Sequence, residues 1–385
     1  MKSRLTAILD FGSSQITAIC GERGVNGTFA IKGMLSAPYE GFYDGEFLDE
    51  AELETVISQV VSDLQTDCSI KFDRIYVGVP GAFVSVVCKE KIIAYPRKRK
   101  ITQADIDELF AAGLKLKNQS YRIINSSAVY FTTDDVLRVV DPIGLLSGKL
   151  GGLISYSLMS VSFERRIRAI LGKLEIREVN FVSSMYAECM YLFEPQERDN
   201  FAMLLDVGHL TSVFAIVRGD GILYQKTLPF GGGYITADLS EYLKTDYDIA
   251  DLLKRKINIS QEASGAKYEV VVDDEAFEFS VEESNDIVTN NLDNLCEMIE
   301  ECLAKCNVRY PDYLVLHITG GGVLLMRGCR EYIANRISRV CERSAPNLPL
   351  MSSPEDSSRL GLLDYALDQE DKKPRGLLQK IFGRR

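Results

Sequence analysis

The chain has 385 residues, 46% hydrophobic and 26% charged, with a formal net charge of −11. That length exceeds one ordinary core and predicts two or more domains of globular composition. The charge argues against nucleic acid as a partner, no run approaches the roughly twenty apolar residues that span a bilayer, and the start Met1-Lys-Ser-Arg4 reads as no secretion signal.

In chain order, Leu5 to Leu9 predicts a buried strand running into Asp10. Gly12-Ser13-Ser14-Gln15 then forms a turn, and Ile16 to Cys20 a second strand. This is the shape of a phosphate-binding hairpin. A carboxylate at the strand end can hold a Mg²⁺-bound water, Gly12 admits a phosphate close to the backbone, and Ser13 and Ser14 can donate to its oxygens. An ordinary hairpin carries the same pattern, so the reading depends on matching pieces downstream. A third strand is expected before Gly33. Glu50 to Leu64 is an amphipathic helix with Leu53, Val56, Ile57, Val60, Val61 and Leu64 on one face, and Ile75 to Val79 is a strand.

Residues 83–160 change character. Two strands, Val84 to Cys88 and Lys91 to Tyr95, precede the basic run Arg97-Lys-Arg-Lys100, expected as a solvated loop. Thr102 caps a helix through Lys115, and strands follow at Tyr121 to Tyr130 and Ile154 to Val161, separated by the turn-rich Asp141 to Gly148. Helices are expected at Glu164 to Leu174 and Ser183 to Leu192.

Then the opening pattern returns: Phe201 to Leu205, Asp206-Val-Gly208, the hydroxyl pair Thr211 and Ser212, and a second apolar strand to Val217. Two such hairpins, one per half, can face each other across a cleft and grip phosphates. Gly231 and Gly232 lead into a helix whose N-terminus suits an anion, and Gly320-Gly321-Gly322 follows a strand, where the backbone can lie against a purine. Tyr268 to Val281 predicts a hairpin turning at Asp273-Asp274, and Asp286 to Leu303 a long amphipathic helix. Cys296, Cys302 and Cys306 lie on that apparent helix, without zinc-type spacing and with no histidine near. With two histidines in the chain, His209 and His317, a histidine metal site or triad is not expected.

Taken in order, Asp10-Phe-Gly-Ser-Ser14, Asp206-Val-Gly208, Gly231-Gly232 with Thr236-Ala-Asp238, Asp251-Leu-Leu-Lys254 and Gly320-Gly321-Gly322 resemble the nucleotide motifs of the actin/Hsp70/sugar-kinase superfamily. The insert, with Ile75 to Gly81, Ile101 to Asp107 and Asp141 to Gly148 in order, resembles the FtsA family of bacterial cell-division actin homologues. The resemblance implies an α/β, actin-like (ribonuclease H-like) two-lobed fold with an inserted strand-helix-strand-strand subdomain of SHS2 type. The implied divisions are 1–82 with 161–200 (first lobe), 83–160 (insert), 201–240 with 311–363 (second-lobe core), 241–310 (second-lobe small subdomain), a linker at 364–373 and a membrane helix at 374–385. It further implies ATP and Mg²⁺ as ligands. Asp10 and Asp206 would orient the metal; Gly12, Ser13, Ser14, Gln15, Gly208, Thr211, Ser212, Gly231 and Gly232 would lie at the phosphates. Asp251 and Lys254 would lie near ribose and adenine, and Gly320, Gly321 and Gly322 against the base. Implied partners are the FtsZ C-terminal tail (on 241–310), further copies of the chain (through the insert), anionic inner-leaflet lipids and later division proteins. No nucleic acid is implied. The implied location is the cytoplasmic face of the membrane at the division site.

The chain departs from the family in the second phosphate loop, where His209 and Leu210 replace glycines and Val213 an aspartate. A bulky residue in a left-handed turn costs roughly 1–2 kcal/mol, so another loop shape and weak ATP binding or poor hydrolysis are expected. The alternatives are a binding protein like the pilus-assembly relative PilM, a specialised FtsA paralogue, or a sugar-kinase-like phosphotransferase, for which no catalytic aspartate beside a sugar pocket is found.

Of the last fourteen residues six are basic and none acidic. Leu377, Leu378, Ile381 and Phe382 share one helical face with Lys380 and Arg384 beside it, which reads as an interfacial membrane helix or, alternatively, a frayed basic tail. Roughly 6–10 kcal/mol would follow from full burial of those four side chains, less in an interface. One tail is then a weak anchor and many are a strong one.

Overall fold

The computed structural model describes residues 5–24, 28–116, 118–136, 138–261, 265–349 and 351–372. The expected membrane helix, with Leu377, Leu378, Lys380, Ile381, Phe382 and Arg384, lies outside them.

The first half runs β1 (Thr6–Phe11), β2 (Gln15–Arg23), β3 (Phe29–Pro38), a small hairpin β4 (Phe42–Tyr43) and β5 (Glu46–Phe47), α1 (Glu50–Asp67) and β6 (Arg74–Val79). The insert follows: β7 (Val84–Lys100), α2 (Gln103–Gly113), β8 (Tyr121–Thr132) and β9 (Leu146–Ser160). The first half closes with α3 (Val161–Lys173), β10 (Glu178–Ser183), α4 (Ser184–Leu192) and α5 (Pro195–Asp199). The second half comprises β11 (Ala202–Val207), β12 (Ser212–Arg218), β13 (Gly221–Leu228), α6 (Gly232–Leu243), α7 (Tyr247–Lys256), β14 (Lys267–Val272), β15 (Glu275–Ser280), α8 (Val281–Lys305), β16 (Leu316–Thr319), α9 (Cys329–Arg336), β17 (Cys341–Arg343) and α10 (Ser357–Lys372).

Two five-stranded sheets share one topology, β3-β2-β1-β6-β10 and β13-β12-β11-β16-β17. In each, the first three strands are antiparallel and the last two add in parallel. Both faces are covered, which is why β1 and β11 are almost wholly apolar. Strand alternation sorts the side chains. Ala7, Leu9 and Phe11 pack with α1 and α3, whereas Ile8 packs with α10. Met203, Leu205 and Val207 pack with α6 to α9, whereas Ala202 and Leu204 face α4. Thus α4 and α10, tightly packed where Gly361 meets the Glu188 backbone, stand between the two sheets.

The insert is a three-stranded antiparallel sheet, β7-β9-β8, with α2 on one face over Leu150, Ile154 and Tyr156. Its first two expected strands are one strand, β7, whose register against β9 shifts between Ala94 and Arg99. Pro96 sits inside that bulge, where its missing N–H breaks no ladder bond. The basic run is therefore strand rather than loop. Arg99 pairs with Asp105, which completes the capping box of α2 with Thr102, and Lys98 pairs with Asp134.

The acidic stretch expected as a linker is instead the second half of α10. Leu360, Leu363, Ala366 and Leu367 bury its inner face. Outside, Arg23 pairs with Asp364, Asp368 and Asp371, and Arg74 with Glu370. Two arginines convert a run that would repel itself as a free segment into a docked helix. All nine cysteines are free thiols.

Candidate functional site: a cleft between the two sheets

Asp10 and Asp206 are each the fifth residue of six in equivalent strands, β1 and β11. Asp10 shares its strand face with Ile8 and Asp206 with Leu204, so both point to the side where α4 and α10 lie. Between them opens a cleft of about 540 Å³. Asp10 is 8% exposed, and the Ser358 hydroxyl of α10 donates to its Oδ1 at 3.0 Å. Glu188 of α4, 1% exposed, completes the acidic floor, and among the described residues its Oε1 has no hydrogen-bond partner.

Burial suppresses the ionisation of all three carboxylates, and neighbouring negative charge adds to it at Glu188 and Asp206. Burial, then the charges of Asp206 and Asp10, pushes Glu188 well above the usual carboxylate range. Burial followed by the Asp10 charge pushes Asp206 up to about 7. Asp10 is raised by burial despite the opposing Ser358 bond and the Arg359 charge. Oxygen donors with an orphaned lone-pair site suit a hard cation. Among the described residues no three acidic, cysteine or histidine side chains form a ready-made metal cage. The residues fit a Mg²⁺ held partly through water and phosphate.

Gly12, Ser13, Ser14 and Gln15 from the first hairpin, and Gly208 and Thr211 from the second, line the cleft. Ser212 and Gly231 do not. The Ser212 hydroxyl turns inward and donates to the Phe230 carbonyl at 2.6 Å, and Gly231 is buried beneath the His209 carbonyl. Gly232 does line the cleft, at the start of α6. Neither His209 nor Leu210 adopts a positive φ. The loop avoids the left-handed turn, and the Leu210 N–H donates to Ser13 Oγ at 2.9 Å. His209 approaches the Tyr247 hydroxyl at 3.3 Å.

Asp251 and Lys254 stand on the α7 wall. The Lys254 ammonium donates to Thr236 Oγ1 at 2.6 Å and the Gly232 carbonyl at 3.1 Å, and pairs with Asp251 at 2.9 Å. Its three donors are engaged within the protein. Opposite, Gly320, Gly321 and Gly322 line the cleft with a requirement of their own. Gly320 has φ +85°, and a Cβ on it would lie 2.3 Å from Asp206 Oδ1. A Cβ on Gly322 would lie 2.5 Å from the Gly208 carbonyl. The loops after β11 and β16 thus meet backbone to backbone.

Sequence reasoning missed Glu188, Ser358 and Arg359, which all line the cleft. Glu188 left one sign, a lone carboxylate in the apolar run Ser184–Leu192. Ser358 and Arg359 left none.

A family model described as cell division protein FtsA matches residues 203–355. The cell division protein FtsA of Neisseria meningitidis serogroup B is 21% identical over 384 residues, covering 97% of this chain and 92% of that protein. Among solved structures, the PilM–PilN type IV pilus biogenesis complex superposes with a TM-score of 0.63 at 15% identity, over 94% of this chain and 98% of that one. MreB5 of Spiroplasma citri bound to AMPPNP gives 0.57 at 11% identity, over 96% and 98%. The fold is actin-like.

Proposed function

Because the chain is a divergent, actin-like member of the FtsA cell-division family, we propose that it binds ATP with Mg²⁺ in the cleft and polymerises at the cytoplasmic face of the cell membrane. There it tethers the FtsZ ring through the FtsZ C-terminal tail and recruits later division proteins. The observation that carries the nucleotide reading is the pair Asp10 and Asp206, at equivalent positions of duplicated hairpins on one cleft. Mg²⁺ would be oriented by these two carboxylates and would neutralise phosphate charge. Ser13, Ser14 and Thr211 would donate to phosphates, and Gly320 to Gly322 would lie along the base. Hydrolysis is slow in this reading, because Val213 offers no carboxylate and the Leu210 N–H is already directed at Ser13.

The polymer contact lies on the insert, whose Val140 and Leu146 are 69% and 62% exposed. The FtsZ tail docks on 241–310. In this reading the subdomains are divided as expected from sequence, except that 364–372 belong to α10.

Titration of the purified chain with fluorescent ATP, with and without Mg²⁺, beside Asp10→Ala, tests the core of the reading. Weaker binding by the variant in Mg²⁺ is expected; an unchanged affinity there would refute it. A second reading, a PilM-like peptide-binding protein, is favoured by the superposition on the PilM–PilN complex. Capture of a pilus-protein N-terminal peptide rather than an FtsZ C-terminal peptide would select it.

A further inference from the structure

The first turn of α10 enters the cleft between two loops. Ser358 reaches Asp10 near the end of β1, and the carbonyl of Pro354, just before α10, accepts the Gly320 N–H at 3.2 Å after β16. Arg359, the next residue, lines this part of the cleft with a side chain only 12% exposed. Asp356, itself buried, accepts from Nε at 2.8 Å and also from Nη2. Among the described residues Nη1 has no hydrogen-bond partner. The guanidinium is therefore held by one edge and free along the other.

Its surroundings make that free edge informative. The cleft is lined by the carboxylates of Asp10, Glu188, Asp206, Asp251 and Glu355, against the cations Lys254, Arg255 and Arg359. Lys254 has its donors engaged, and Arg255 lies exposed at the rim. A polyphosphate entering such a wall needs positive charge at depth, and among the described lining residues Arg359 alone supplies it with N–H groups to offer. A planar guanidinium fixed on one side by a carboxylate is preorganised for a phosphate on the other.

We propose that Arg359 is an anion-binding residue of this cleft, holding a phosphate of the bound nucleotide and allowing that nucleotide to bind without a divalent cation. The inference rests on the nucleotide reading above and adds a built-in cation to it. Arg359 stands on the same side of the cleft as Asp10, so it neutralises charge where a metal would otherwise be required. Removing Mg²⁺ then weakens binding only modestly, whereas removing the guanidinium makes binding metal-dependent.

The test is titration of the full chain with mant-ATP in Mg²⁺ and in EDTA, for the wild type, Arg359→Gln, and the double variant Asp356→Asn with Arg359→Gln. The double variant removes both halves of the buried ion pair and leaves no orphaned charge, so it stands in should the single variant fail to fold. The wild type is expected to bind in EDTA within roughly tenfold of its Mg²⁺ affinity, the variants to lose roughly 10- to 100-fold in EDTA and less in Mg²⁺. A wild type that binds only with Mg²⁺, or variants that match it in EDTA, would overturn the role of Arg359 and leave the nucleotide reading intact. No binding of mant-ATP by any form under either condition would overturn both.

Discussion

The backbone N–H of Leu210 donates to the Ser13 hydroxyl at 2.9 Å, joining the turn after β1 to the loop after β11. Ser13 is 7% exposed, so the bond is shielded from water and favours a closed cleft. Ser13→Ala removes it. The expected result is a loss of about 1 kcal/mol in urea unfolding and faster release of bound nucleotide in stopped flow. Release at the wild-type rate would show that the bond does not hold the halves together.

Stability should fall as pH rises from the acid side towards neutrality and level off above it. Burial, then the Asp10 charge, places Asp206 at about 7, against 3.8 for a free aspartate. Between those values the folded chain holds a proton that the unfolded chain has released, so folding is favoured on the acid side and this advantage is lost towards pH 7. Asp206→Asn removes the slope and should stabilise the chain on the order of 1–3 kcal/mol at about pH 8, with little change at about pH 4. The same gain at both pH values would mean that Asp206 titrates normally.

Glu188→Gln should act in the same direction. It keeps the shape of a side chain that is buried among Asp10 and Asp206 and removes its tendency to ionise. A gain of about 1 kcal/mol at neutral pH, vanishing in acid, is expected from chemical denaturation. A loss instead would indicate that Glu188 is held by a partner the cleft supplies in solution.

Arg23→Ala should loosen the end of α10. The arginine faces Asp364, Asp368 and Asp371, which would then repel one another. Hydrogen exchange over 364–372 should accelerate by about tenfold or more, with a global loss on the order of 1–2 kcal/mol. Unchanged protection there would show that the apolar face alone docks the helix.

Deletion of 374–385 should release the chain from anionic liposomes in co-sedimentation, because the basic and apolar residues of that segment are the proposed membrane contact. Undiminished co-sedimentation would place the contact elsewhere.

Much of the fold was written in local pattern. The run Thr6–Phe11, the faces of α1 and α8, the capping box of α2 and the hairpin at Asp273-Asp274 depend on periodicity and turn chemistry within a few residues. The repeat of Asp-x-Gly gave the duplicated halves, and strand period put Asp10 and Asp206 on matching faces. Tertiary structure decided what depends on partners distant in sequence. The acidic end of α10 is helical because Arg23 and Arg74, hundreds of residues away, cancel its charge. Ser212 faces inward because Phe230 offers it a carbonyl. Glu188, Ser358 and Arg359 belong to the cleft because α4 and α10 cross between the sheets. A side chain's neighbours across a packed interface leave no periodic trace in the chain, so their chemistry becomes legible only once the halves are brought together.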